Sequence, residues 1–540
     1  MYYKLLCKYY FFRICAVQEI MRFELAILNP VIYLDVIFTK SIKNRKIHVK
    51  SDVARPAASE LAVARAVLAH ELELCHGLRG QRNTAQDPSA HLRMSTSGDP
   101  LDALPAAVLA DVLGRVADAA DIAACRLASR ALLAASYLCP RARLCVADCA
   151  RRRRREGSGG GGPPAFRATT GNLASLLGAH LRSLSLDAAD VQGSPDDAMW
   201  VEEGEFDEAD DLHLTSGEAV LAWAATAAGP VLREVQIADY WPQACWRKAE
   251  ALPLISHYCL NLAKLSLKNA WLSVDGLKKM PSLTDLTLEF IRLDDEDLNQ
   301  LNECFPCLQT LNLVGVGGLK DPKIHLPQLK TCRWEVSNVP QSLAVHAPNL
   351  VFLELKCVRP DTLILDTPSL STLKLVIDKL GAIFQVDGLL SLKHLFIESL
   401  DLVSLFLVLL DGRVIKTLEL ELPESAGQYE LLEAVNPDYL LRMLASINEV
   451  KLGPRFSCGL KMCLYLCKDS PCTGCLKKLL IHLPQSESSF QLLPLFQICA
   501  PLCEVTALFH AESDDAVCQG TMSNYMQIFP EIKWQWGTWL

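Results

Sequence analysis

The sequence predicts an α/β protein in which a short helical unit precedes a solenoid with a parallel β-ladder. Three observations predict it. A six-residue pattern, Leu-x-x-Leu-x-Leu, returns at near-constant spacing through the middle of the chain, proline marks the boundary before most copies, and a compact stretch of helical periodicity lies ahead of them.

The clearest copies are Leu262, Leu265, Leu267; Leu283, Leu286, Leu288; Leu308, Leu311, Leu313; Leu350, Leu353, Leu355; and Leu370, Leu373, Leu375. Leu329, Cys332, Trp334 and Leu392, Leu395, Ile397 vary the theme. Starts at 262, 283, 308, 329, 350, 370 and 392 are 21, 25, 21, 21, 20 and 22 residues apart, the period of a leucine-rich repeat. In an extended segment, side chains alternate between faces, so the last two leucines of each copy point to one side. A lone strand has nothing to bury that face against, whereas stacked copies make one continuous core. Pro281, Pro306, Pro327, Pro348 and Pro368 each stand two residues before a first leucine. Proline lacks a donor and fixes its φ, so it marks the turn entering the strand.

Further copies extend the array at both ends. Leu181, Leu184, Leu186 and Leu232, Val235, Ile237 precede it, separated by an acidic insertion from Asp190 to Asp211 that reads as a solvated loop. Ile415, Leu418, Leu420, then Ile447, Val450, Leu452, then Leu476, Leu479, Ile481 follow at the looser spacings of 32 and 29 residues. The solenoid is therefore expected over 171–485. Residues 486–540, with Trp534, Trp536 and Trp539 after Pro530, are expected to cap it and hide the last strand edge. Three residues past the last leucine, many leucine-rich repeats place Asn or Cys. Here Ala270, Ile291, Val316, Val358, Asp378 and Leu400 stand there, so apolar packing is expected to replace a polar turn ladder and the repeats to be irregular.

The chain has 540 residues, room for more than one domain, and a formal charge of -9, which argues against a nucleic-acid partner. Its 21 cysteines are scattered, some on apolar repeat faces as at Cys332 and Cys357, which suits a reducing cytoplasmic or nuclear setting. No segment is apolar enough to span a membrane. Residues 1–93 carry no nameable chemistry and read as an N-terminal extension ahead of Met94.

From Leu101 to about Ala147 the period becomes helical. Pro105 suits a first turn, and Val108, Leu109, Val112, Leu113 and Val116 make one apolar stripe. Asp121 is expected to cap a second helix containing Ile122, Cys125 and Leu127, and a third is expected from Ser129 with Leu132 and Leu133 inward. Leu104-Pro105, the Val108-Leu109 and Val112-Leu113 pairs, Asp121-Ile122 and the run from Cys125 to Arg130 resemble an F-box, in particular that of plant F-box/leucine-rich-repeat proteins. No tryptophan stands between Leu132 and Ser136, where many F-boxes carry one.

The fold class expected is thus α/β: a short three-helix F-box-like domain over 94–147, then an irregular leucine-rich-repeat solenoid with a parallel β-ladder. Residues 148–170, with Arg151 to Arg155 and a Gly/Pro/Ser segment, read as the linker between them.

Tests for site chemistry come back weak. Cys458, Cys463, Cys467, Cys472 and Cys475 contain one C-x-x-C pair without a second of similar geometry, a poor zinc signature. No nucleophile elbow, phosphate loop, dinucleotide fingerprint or metalloprotease motif is present. His325 and His346 lie just ahead of boundary prolines, and Asp294 to Asp297 suit a helix N-terminus rather than an active site. No catalytic residue, cofactor or metal is expected.

The resemblance implies a non-catalytic substrate receptor of an SCF-type cullin-RING ubiquitin ligase, with Leu104, Pro105, Val108, Leu109, Val112 and Leu113 facing a Skp-type adaptor. Repeat spacing alone supports a recognition scaffold, so a ligase-independent protein-binding scaffold stays open. Ser266, Thr287, Asn312, Glu354 and Lys374, at the fifth motif position, are expected to face a protein target.

Overall fold

The computed structural model describes residues 104–146, 166–189, 213–240, 247–336, 340–358, 360–377, 383–387, 389–410, 413–424, 437–464, 476–483 and 492–539. The N-terminal extension, the Arg151 to Arg155 run, the acidic insertion and Cys467, Cys472 and Cys475 lie outside them. The chain divides into two units, one ending at Ser136 and one starting at Tyr137.

In the first unit, α1 (Ala106–Val116), α2 (Ala119–Ala128) and α3 (Arg130–Ser136) follow in close succession, with α1 and α2 both packed on α3. Pro105 stands at the N-cap of α1, where its missing N–H is not needed. Ala117, left-handed at φ 55°, ends α1. The connection is so short that Asp118, not the expected Asp121, caps α2, its Oδ1 accepting from Ala120 N and Asp121 N at 3.0 Å. In α3 the small Ala135 and Ser136 turn inward, while Leu132 is half-buried and Leu133, expected inside, is exposed.

Among the described residues, the second unit is built on one 16-stranded sheet. Its strands include β1 (Arg141–Cys145), β2 (Ser183–Asp187), β3 (Glu234–Ala238), the short β4 (Lys248–Ala249), β5 (Lys264–Leu272), to whose end β4 pairs, β6 (Asp285–Arg292), β7 (Thr310–Val316) and β9 (Thr331–Val336). They continue as β11 (Phe352–Cys357), β13 (Thr372–Ile377), β15 (His394–Glu398), β16 (Thr417–Glu421), β17 (Glu449–Leu452) and β18 (Leu476–Leu483). Neighbours pair in parallel with like motif positions opposite each other: Leu265 faces Leu286, Leu286 faces Leu311, and Leu353 faces Leu373. The inward residues of every copy named above are no more than 4 % exposed. Such a face can close only by stacking, which is why the period rather than any single strand carries the fold.

The boundary prolines act as turn residues. Leu283, Leu308, Leu329, Leu350 and Leu370 each donate their N–H to the carbonyl three residues back, with the proline second in the turn. Ala270, Ile291 and Val316 are buried, as apolar packing requires, whereas Val358 is exposed.

Repeat length decides how the chain returns. The 25-residue unit beginning at Leu283 has room for a ten-residue helix, α7 (Asp295–Cys304), the earlier described helices of the second unit being α4 (Phe166–Leu177), α5 (Gly217–Ala224) and α6 (Ala251–Tyr258). Asp294 caps α7 in a capping box with Asp297, and Leu298 and Leu301 face inward. The units beginning at 308, 329, 350 and 370 are too short for that. They return through β8 (Lys323–His325), β10 (Ser342–His346), β12 (Thr362–Asp366) and β14 (Ile383–Asp387), which form a second parallel sheet. His325 and His346 are neighbours on it, ring centroids 6.2 Å apart, with His346 Nδ1 3.5 Å from Asp366.

Three boundaries differ from expectation. Residues 141–145, placed by sequence in the helical unit, form β1 and pair with β2, because Cys139, Ala142 and Leu144 repeat the motif with smaller residues. Residues 166–170, placed in the linker, open α4, where Phe166 and Thr170 are buried. The C-terminal segment extends the ladder rather than covering it. There, β19 (Cys499–His510) and β20 (Lys533–Trp539) pair onward from β18, with the helix Asp515–Ile528 between them, so β20 is the last strand of the described sheet. Trp534 and Trp536 take inward places, their rings stacked 5.0 Å apart.

Candidate binding surface

Register turns the fifth motif position into a row across the outward face. Ser266, Thr287, Asn312, Arg333, Glu354 and Lys374 succeed one another in it. The five residues expected to meet a target thus lie side by side, each half-exposed. Asn312 Nδ2 donates to Thr287 Oγ1 at 3.0 Å, and Lys374 Nζ lies 2.9 Å from Glu354 Oε1.

The face divides by chemistry. From β9 onward, opposite charges meet across strands: Arg333 and Lys374 on Glu354, Lys356 on Glu335 at 3.2 Å and Lys451 on Glu419 at 3.6 Å, and Arg455, in the helix Pro454–Leu464, lies 3.8 Å from Glu421. Such exposed pairs are each worth roughly 0–1 kcal/mol, so they order side chains more than they stabilise the fold. Burial pushes the Glu398 carboxyl up, an effect that the nearby Arg455 opposes. Across β5 to β7 the same row is uncharged.

At the C-terminal ends of these three strands the surface becomes aromatic and cationic. Lys268 Nζ lies 2.8 Å from Glu289 and 5.7 Å from the centroid of the Phe290 ring, and the Arg292 guanidinium stacks 4.4 Å from the Trp271 ring centroid. A buried clamp supports this end. Asp239 Oδ1 accepts from Leu214 N at 2.9 Å, while Oδ2 accepts from Thr215 N at 2.8 Å and from the Thr215 hydroxyl. The Asp239 carbonyl accepts from Asn269 Nδ2 at 3.1 Å, which ties β3 to the left-handed turn in β5. Burial pushes the Asp239 carboxyl up, against the Thr215 hydroxyl and His213, which favour its charged form.

In the helical unit the six residues assigned to an adaptor face separate. Leu109 and Leu113 are each 1 % exposed and belong to the interior. Pro105 and Val108 are exposed, and Leu104 and Val112 are half-buried. Leu127, on α2, is 92 % exposed.

Sequence reasoning passed over Trp271, Phe290 and Arg292 because they fall just beyond the motif. The available signal was the residue type two places after the last core leucine: Asn269 and Gly315, both tolerant of a left-handed backbone, flank Phe290 in register. Among the described residues, no group of three or more His, Cys, Asp or Glu is placed to hold a metal ion, and no helix is long and apolar enough to cross a membrane.

No protein-family model matches the chain. It is 35 % identical over 451 residues to the F-box/LRR-repeat protein At4g29420 of Arabidopsis thaliana, a match covering 81 % of this chain and 98 % of the relative. The chain belongs to the F-box/LRR-repeat family. Membership in the F-box/LRR-repeat proteins fits an outward face made of aligned repeat positions, since an extended row of half-exposed side chains suits binding another protein.

Proposed function

We propose that this protein is the substrate-recognition subunit of an SCF-type cullin-RING ubiquitin ligase. It makes no bond itself; it holds a target near a conjugating enzyme brought by its partners, contributing proximity and orientation. The observation that carries the reading is a small helical unit that leaves Val108, Leu127 and Leu133 exposed, in an F-box/LRR-repeat chain whose repeat sheet offers a polar row. Aliphatic side chains exposed on so small a unit are available to a partner surface. Leu104, Pro105, Val108 and Val112 contact the Skp-type adaptor, with Leu109 and Leu113 supporting them from beneath. Ser266, Thr287, Asn312, Glu354 and Lys374 border the target, and the complex works in the cytoplasm or nucleus.

The test is retention of the full chain on immobilised, purified Skp-type adaptor, alongside the Leu104→Ala/Pro105→Ala and Val108→Asp variants. Retention by the wild type and its loss in both variants, with unchanged circular dichroism, is the expected result. A folded wild type that is not retained would leave a ligase-independent repeat scaffold instead.

A further inference from the structure

Three successive strands share one departure from regular geometry. Two residues after the last core leucine, Asn269, Phe290 and Gly315 have φ of 59°, 53° and 63°. Asparagine and glycine tolerate that region, but for a bulky aromatic residue it is a genuine outlier. The core does not require it, because the neighbouring Ile291 fills the interior place while Phe290 is half-exposed. The ring instead lies across the next strand, where a Cβ on Gly315 would come within 2.6 Å of Phe290 Cδ1. The absence of a side chain at Gly315 is what leaves room for it.

Arg292 lies two residues on, so Phe290 and Arg292 flank the buried Ile291 and share the outward side. Its guanidinium is stacked on Trp271, it is exposed, and among the described residues it has no carboxylate partner. Lys268, by contrast, is already paired with Glu289. A stacked guanidinium keeps its N–H edges free for two-pronged contact with a carboxylate. Beyond β9 a partner would first have to part existing ion pairs, whereas Arg292 has, among the described residues, no ion pair to part.

We propose that Trp271, Phe290 and Arg292 are the anchor at which the repeat sheet holds its target, and that the target presents an acidic segment. An apolar side chain of that segment lies on the Phe290 ring and a neighbouring carboxylate closes on Arg292. Tryptophan and arginine in one cluster are the side chains that most often dominate protein interfaces. On the receptor reading above, on which the segment's origin rests, it belongs to the protein to be ubiquitinated.

The probe is a phage-displayed library of random peptides panned against the full chain without adaptor. Enriched peptides should pair Asp or Glu with Leu, Phe or Trp. Their affinity should fall about 10-fold or more, roughly one interface anchor, on Phe290→Asn, which keeps a left-handed-tolerant backbone, and on Arg292→Glu. Lys478→Ala, which removes a pair with Glu504 on β18, should bind as wild type does, and Arg292→Glu should come to prefer peptides with Lys in place of the acid. Gly315→Ala, which displaces the ring, should weaken binding with Arg292 intact. Enriched peptides without acidic bias, equal binding to the Phe290→Asn or Arg292→Glu variant, or no enrichment on wild type over the Phe290→Asn/Arg292→Glu double variant would each overturn the site. Adaptor retention measured on the same variants separates the two readings: its absence with peptide binding intact sinks the ligase role alone, and the converse sinks this site alone.

Discussion

Asp239 and Thr215 are joined twice, through the Thr215 N–H at 2.8 Å and through its hydroxyl, although 24 residues separate them in the chain. The carboxylate also accepts from Leu214 N and Tyr240 N, at 2.9 Å and 2.7 Å. Asp239→Ala removes the acceptor from three backbone donors at once. A buried donor left alone costs about 1–3 kcal/mol, so the loss should be about 3 kcal/mol or more. Asp239→Asn keeps one acceptor oxygen and should fall between. Urea unfolding of the three proteins checks the order, and an alanine variant as stable as wild type would show that the clamp does not hold the strand ends.

Alternation along β11 gives a sharper contrast between adjacent residues. Leu355 is fully buried in the ladder core, whereas Glu354 faces outward between Arg333 and Lys374. Leu355→Ala should cost about 2–5 kcal/mol through lost burial and the cavity left behind. Glu354→Ala should cost less than about 1 kcal/mol, since it removes only exposed pairs. Similar losses for both would mean that the inward and outward faces have been assigned wrongly.

The ladder was legible in the sequence because stacking forces every repeat to place apolar residues at the same positions, and Leu265, Leu286 and Leu311 do so without exception. Proline spacing located the turns for a similar reason, as one backbone geometry recurs. The ends were harder to read. In β1 the motif is carried by Cys139, Ala142 and Leu144, which are buried, and in β20 by the half-buried Trp534 and Trp536, which pair with the buried Val505 and Ala507, so residue size no longer spells the pattern. The second sheet was missed because β10 and β12 are five residues long, too short for alternation to stand out. Phe290 was invisible for a different cause: its role depends on Gly315, a neighbour in space but 25 residues away in the chain.

The cap of α7 is a local prediction of the same kind. Asp294 accepts from Asp297 N at 2.8 Å and Asp297 accepts from Asp294 N at 3.2 Å. Asp294→Ala removes one half of that box and should lower stability by about 1 kcal/mol, with Asp294→Ser restoring most of it. Thermal unfolding would show the difference, and an alanine variant matching the serine one would deny the cap its role.

Alkaline pH tests the core thiols. Burial pushes Cys259 and Cys332 up from 9.0 to about 12, so both stay protonated in the folded protein while the unfolded chain ionises them above pH 9. The unfolded state then holds fewer protons, and stability contributed by each thiol is complete below pH 9 and lost as pH rises toward 12. The slope is at most about 1.4 kcal/mol per pH unit for each group. Cys332→Val removes one titrating group while keeping the volume. Its urea midpoint should therefore fall less steeply than that of wild type between pH 9 and pH 10.5, whatever its stability at neutral pH. Native Cys332 should also resist alkylation at pH 8 until denaturant is added. Parallel midpoint curves, or rapid labelling of Cys332 in the folded chain, would place that thiol outside the ladder core.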